Sequence, residues 1–401
     1  TDPVLAKEPF SALERRAVLG LASLYCLRML GLFMVLPLFA VYTQELAGSN
    51  VASIGIALGA YGLTQAVLQV PLGWLSDRIG RKPVILGGLS LLVLGSVVAA
   101  AADTLMGLAI GRLLQGSGAI ASATMALAAD YTRIEQRTKA SAIIGASIGI
   151  SFALALVLGP VLAAWGGLSR VFESTAVMGG LGLLVVIFWL PATPQLSEGG
   201  RAHIADRERL GEALWGRGLG ILYASIFCLH LLLMAAFTAI PSVMTQQVGL
   251  APAHHAWMYL ATLCGALPGV ALLIRRRQEL EDPRPLLALS VVLTVIGLVI
   301  ALWAVSLTAL GLGLVLFFAG FTALETILPA LVSIFAPISL RGTAMGIFAS
   351  AQFLGVFTGG VLGGSALHWG GALGLVMVLA GLTAIWLFGL SRYGRTPMAA
   401  V

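Results

Sequence analysis

The sequence predicts an all-α membrane protein with twelve transmembrane helices in two pseudo-symmetric six-helix bundles. Three observations predict it. Over 401 residues the chain is 59% hydrophobic and only 10% charged, where a soluble domain carries about 25% charged residues. Mean hydropathy is +0.99. The apolar residues run in long stretches, and nearly all the basic residues fall on one side of them. Twelve spans of about 20 residues use roughly 240 positions, which leaves room for caps and short loops but not for a sizeable second soluble domain.

In chain order the apolar windows lie near 17–42, 52–75, 83–102, 105–128, 138–162 and 170–190 (spans 1 to 6). After a polar stretch come 218–246, 252–274, 285–303, 308–335, 342–365 and 370–391 (spans 7 to 12). Each is too long and continuous for a membrane strand of about 10 alternating residues, so helices, which satisfy their own backbone in lipid, are predicted throughout. Ser11 and Glu14 read as a capping box opening span 1. That first window is long and lacks a small-residue cleavage site, so it is expected to be a span and not a cleaved leader.

Of the 23 Lys and Arg, only Arg170 lies on the opposite side, and only Arg28 and Arg112 fall within spans. The positive-inside rule then predicts cytoplasmic termini and a cytoplasmic 191–217 loop. The net charge of +6 and pI near 9.5 are accounted for by topology, without nucleic acid. Cys26, Cys228 and Cys264 sit in apolar stretches without ligand spacing, so neither a disulfide framework nor a zinc site is expected. A Walker A sequence, metalloprotease spacing and paired acids are all missing, so ATP-driven transport, an enzyme and a bound cofactor are not expected.

The chain resembles itself about 200 residues on. Cys26-Leu27-Arg28 recurs as Cys228-Leu229-His230, and Arg137, Trp165, Gly166 and Gly167 recur 204 positions later as Arg341, Trp369, Gly370 and Gly371. Six spans per half keep the copies parallel, which predicts a substrate site between them near the bilayer midplane. The expected organisation is 1–190, a 191–217 linker and 218–401. Within the linker, 201–215 reads either as an amphipathic surface helix or as a solvated tether.

Between spans 2 and 3 lies Gly73-Trp74-Leu75-Ser76-Asp77-Arg78-Ile79-Gly80-Arg81-Lys82-Pro83. Gly80 permits unusual backbone angles, and Pro83 suits a helix start. This loop resembles the signature of the major facilitator superfamily, and with twelve spans and a repeat the resemblance covers essentially the whole chain. It implies that Asp77 is a conformational latch near the start of span 11, at Arg341-Gly342-Thr343, where a helix dipole favours a carboxylate by up to about 1 kcal/mol. It also implies that Asp130 and Arg133 join Arg78 in one cytoplasmic cluster.

Gly111-Arg112-Leu113-Leu114-Gln115-Gly116 in span 4 resembles a motif of the drug:proton antiporter branch, in which the arginine is linked to proton transfer. An arginine at that depth costs about 2.5–3.5 kcal/mol on the mildest scale. Gly159-Pro160 resembles the antiporter motif of the same branch, with Ala155, Ala163 and Ala164 where the family usually has glycine. Segments 26–31 and 61–66 also resemble a bacterial subgroup of the branch. Some of its members carry a small C-terminal cytoplasmic domain, whose role is not carried over to a sequence ending about ten residues past its last span. The resemblance implies a monomer in the cell inner (plasma) membrane.

The sharpest single residue is Glu325, a carboxylate deep within span 10 and four residues before Pro329. A carboxyl in a low-dielectric cavity can be neutral or charged at working pH. The alternative is a permanent ion pair with Arg28 or Arg112. Arg28 and His230 complete the proton-coupling candidates. Tyr61, Gln65 and Gln69 lie four apart on span 2 and, with Gln115 and Gln352, are predicted to face inward. Met34 and Phe237 are candidates for an apolar wall. A proton-coupled exporter of small amphipathic compounds working by rocking of two halves is the leading reading. Import by symport or uniport, and ligand sensing without transport, stay open at this stage.

Overall fold

The computed structural model describes residues 9–44, 46–133, 136–191, 216–279, 282–336 and 340–392. Nine helical runs among them are long and apolar enough to cross a membrane. Two of these are double. The run Arg137–Leu184 departs from helical angles at Gly166 and Gly167, and Arg341–Arg392 departs at Gly371.

At 48 and 52 residues, each run would extend about 70–80 Å if straight, more than twice the hydrocarbon thickness. Instead each doubles back. Ser151 donates to the Cys26 carbonyl at 3.1 Å, Gly159 abuts Met34, Thr175 donates to the Gly31 carbonyl at 3.0 Å and Arg16 donates to the Trp189 carbonyl at 2.8 Å. The chain thus climbs along span 1 as span 5 and returns along it as span 6. Spans 11 and 12 treat span 7 alike: Gly355, Gly359 and Gly363 lie against Phe227, Leu231 and Ala235, and Trp386 returns to Ser225 at 2.8 Å.

The two reversals are repeat-related. Gly167 has φ 67° and ψ −161°, and Gly371, 204 positions later, has φ 58° and ψ −154°. This is a region open to glycine and strained for other residues. The small-residue stripes have the same logic, since glycine or alanine lets two helix backbones touch.

Span 4 completes the set of twelve, in two pieces: Leu105–Ser117 and Ala121–Tyr131. The apolar window 105–128 predicts one helix there. Gly118 ends the first piece, and its carbonyl is taken by a side chain described below. Span 1 also breaks, between Phe33 and Leu36, because Pro37 has no N–H for the Phe33 carbonyl. Its start carries the expected capping box, with Ser11 and Glu14 bonded both ways at 2.8 and 3.2 Å. Among the described residues no strand forms, and one isolated bridge joins Ala47 to Thr104.

The helix ends define a basic end, where Arg16, Arg81, Lys82, Asp130 and Arg133 gather, and a non-basic end. Spans 2 and 11 close the non-basic end. Gly55, Gly59 and Gly62 meet the span 11 backbone so tightly that a β-carbon on Gly62 would stand 2.7 Å from the Phe353 carbonyl. Farther out, Gln44 donates to Ser242 at 3.3 Å. The candidate surface helix 201–215 lies outside the described residues.

Candidate functional site

Span 10 begins at the N-cap Ser306 and carries Pro329 inside it. Pro329 has no N–H for the carbonyl of residue 325, so the helix loses one rung at Glu325. There the Glu325 side chain meets spans 7 and 11. The Gln352 amide donates to Glu325 Oε1 at 3.2 Å and to His230 Nε2 at 2.8 Å. His230 Nδ1 donates to the Ile226 carbonyl at 3.3 Å, which leaves Nε2 to accept from Gln352. That network assigns a neutral imidazole protonated on Nδ1. Glu325 Oε2 lies 3.8 Å from His230 Nε2, is buried and accepts no hydrogen bond, although a third of the side chain stays accessible.

No guanidinium reaches this carboxylate among the described residues, so an ion pair of Glu325 with Arg28 or Arg112 does not occur in this state. Both arginines are fully buried within the first six spans. Arg112 donates to Gln115 at 3.0 Å and to the Leu58 carbonyl at 3.2 Å. It also lies over the Tyr61 ring at 4.1 Å. Gln115 passes its amide to Ser96 on span 3 at 2.9 Å. Arg28 donates to Gln65 at 2.8 Å and to the Gly118 carbonyl at 3.2 Å, the group released by the break in span 4. Gln65 in turn donates to Gln69 at 3.3 Å.

Tyr61, Gln65, Gln69 and Gln115 are buried, and in this state Gln65, Gln115 and the Tyr61 ring serve the buried arginines while Gln69 accepts from Gln65. Of the amides singled out in the sequence, only Gln352 joins Glu325 and His230. Met34 is fully buried against Gly159. Phe237 packs on Tyr259, ring centroids 6.0 Å apart. Pro160 sits inside span 5, one residue past the point where Gly159 abuts Met34.

At the basic end, Gly80 has φ 98° and both ends span 2 and opens span 3. Its position lets Arg81 pair with Asp77, reach Asp130 at 3.4 Å and donate to Ser76 at 2.7 Å. Gly73 lies close against Ser122 of span 4. Lys82 donates to the Leu190 carbonyl at 3.0 Å.

The partners expected for Arg78 are corrected here. Arg78 lies over Trp74 at 3.7 Å, four residues back on the same helix face, while Arg81, past the turn, takes Asp130. Arg133 joins Glu14 at 3.1 Å. Arg341 and Gly342 open span 11, and their surroundings lie outside the described residues, as does any contact they make with Asp77.

Two groups escaped the sequence reading. Glu14, buried and paired to Arg133, read only as a capping residue. The rings of Phe152 and Phe321 bridge the first and last six spans at 5.7 Å. The pattern Phe317, Phe318, Phe321 on one side of span 10 was the available signal. Among the described residues no three His, Cys, Asp or Glu side chains gather into a metal-ligating group.

A multi-pass helical bundle with glycine-sealed inter-helix contacts and a part-buried polar trio has the architecture of a membrane transporter. The chain belongs to the Major Facilitator Superfamily, whose family model matches residues 21–278. It is 42% identical to the inner membrane transport protein YajR of Escherichia coli K12, over 96% of this chain and 84% of that protein. It is 27% identical to the multidrug resistance protein MdtH of Aeromonas salmonicida, over 92% of this chain and 94% of that one. In fold it is similar to the human organic anion transporter MFSD10, with a TM-score of 0.70 at 21% identity, covering 95% of this chain and all of that one.

Proposed function

We propose that the protein is a proton-coupled exporter of small amphipathic compounds, a substrate:H+ antiporter that works by alternating access. The observation that carries this reading is the Glu325–Gln352–His230 trio: a part-buried carboxylate with a titratable imidazole 3.8 Å away, a bridging amide and, among the described residues, no fixed cation. Protonating Glu325 removes a buried charge. Deprotonating it leaves a carboxylate that accepts from the Gln352 amide beside a neutral imidazole. The trio thus has two hydrogen-bonded states that differ by one proton, which is what coupling needs.

The two bundles are residues 1–190 and 218–401, joined by 191–217. With the basic end in the cytoplasm, both termini are cytoplasmic and this state is closed outward. The relatives support an inner-membrane location, and the multidrug resistance named for MdtH favours export of amphipathic substrates. Asp77, Arg81 and Asp130 act as the latch between states, and the protein works as a monomer. One proton crossing 100 mV supplies about 2.3 kcal/mol, enough to bias two states of similar energy.

The test is reconstitution in proteoliposomes. Glu325→Gln is expected to abolish proton-driven accumulation while substrate exchange down its own gradient continues. Accumulation against a gradient by that variant refutes the assignment.

A further inference from the structure

Two of the contacts between the halves begin at one level. On span 11, Gln352 belongs to the trio and the next residue, Phe353, already abuts span 2, with its ring 6.2 Å from Tyr61. From there to Gly364 the two spans approach so closely that a β-carbon on Gly55, Gly59, Gly62, Gly360 or Gly364 would collide with the facing backbone. On span 10, Glu325 belongs to the trio and Phe321, one turn nearer the non-basic end, meets Phe152 of span 5 at 5.7 Å. Phe318, a further turn out, meets Phe152 at 6.4 Å. Both seams therefore close immediately beyond the trio.

The span 5 to span 10 seam differs from the glycine seam in kind. Glycine backbones pack with nothing to rotate. Phe152 is a side chain, braced from its own half by Phe33 at 5.3 Å, edge to face. On the other side Phe321 touches the His230 imidazole at 5.9 Å and stacks on Phe317 at 5.9 Å. Phe318 and Phe321 are buried, and Phe152 is 9% exposed. Aromatic contacts at 4.5–7 Å exclude water yet carry only modest individual energies, so they can part and re-form during a transport cycle.

We infer that Phe152 is a gating residue: seated on Phe318 and Phe321, it closes the route from the non-basic end to Glu325, Gln352 and His230. Its withdrawal uncovers the imidazole through Phe321. The inference rests on the trio as coupling site for its consequence, and on ring geometry alone for the closure.

The test separates the two. Gln352→Cys, in a chain with Cys26, Cys228 and Cys264 replaced by serine, reports access when a membrane-impermeant maleimide is applied to each membrane face in turn. Adding Phe152→Ala is expected to raise labelling from the non-basic face about tenfold, the scale set by losing two ring contacts, with labelling from the basic face unchanged. Unchanged labelling from the non-basic face, in protein that elutes as a single species, overturns the gate. If Phe152→Ala does not fold, Phe152→Leu is expected to give a smaller rise with the same sidedness, and no rise again overturns it. In proteoliposomes with native Gln352, Phe152→Ala is expected to leak protons without substrate, and adding Glu325→Gln to stop the leak. Raised labelling without any leak upholds the gate and removes Glu325 from the proton path.

Discussion

Repeat-related positions carry opposite chemistry in the two halves. Arg28 in span 1 and His230 in span 7 follow the same Cys-Leu pair, and both are buried. Arg28 holds a charge that proteins do not remove, spread over Gln65 and the Gly118 carbonyl. Arg112 does the same through Gln115, the Leu58 carbonyl and the Tyr61 ring. His230 instead shares one amide with a carboxylate. Under the proposed function, the first half has fixed charge solvated by amides, and the second has charge that comes and goes. On that proposal, two repeat-related spans provide a permanent electrostatic reference and a switch, and the difference lies in two side chains rather than in the backbone.

Making the halves alike is the most severe test. His230→Arg places a fixed cation beside Glu325, and a buried pair of that kind resists loss of either charge by several kcal/mol. Proton-driven transport measured by a pH-sensitive dye is expected to fall by about two orders of magnitude, with the protein still folded. Retained coupling would erase the distinction between the halves.

The next effect falls on stability. Arg112→Leu leaves the Leu58 carbonyl without its side-chain donor and Gln115 Oε1 unsatisfied, at about 1–3 kcal/mol per buried group. The melting temperature in detergent is expected to drop, while the pH profile of any remaining transport keeps its shape. A displaced profile would put Arg112 among the titrating groups.

The smallest effect lies in a loop. Asp282 accepts hydrogen bonds from Arg284 at 2.8–3.0 Å ahead of span 9, and these hold its carboxyl below the usual range. A lowered folded-state value means the pair stabilises at neutral pH, and that contribution is lost as pH falls through the carboxylate range. Both partners are partly exposed, so Asp282→Asn is expected to cost no more than about 0.5 kcal/mol. Melts at pH 7 and pH 2 check it: the difference between variant and parent should shrink away at the lower pH, below the depressed carboxyl value.

The spans were legible because lipid allows few alternatives: a long apolar run must be a helix, and Gly166-Gly167 with its copy at Gly370-Gly371 marks where each must turn back. The break at Gly118 was not legible, because Gly116-Ser117-Gly118 reads equally as small-residue packing, and only the Arg28 guanidinium at its carbonyl shows its use. Glu325, His230 and Gln352 could each be singled out as polar groups in lipid. Their meeting could not, since it depends on how spans 7, 10 and 11 are rotated. Arg78 and Arg81 differ by less than one turn plus a glycine, and the partner of Asp130 follows from the Gly80 backbone angle rather than from spacing. Phe152 carries no polar signal at all, and its place opposite Phe321 is a property of the assembled bundle.

The most direct measurement is infrared difference spectroscopy of the purified protein across pH, with Glu325→Gln as the subtraction. The account predicts a protonated-carboxyl band that is present at low pH, disappears on raising the pH, and is absent from the variant. A spectrum showing residue 325 ionised at every pH would contradict it.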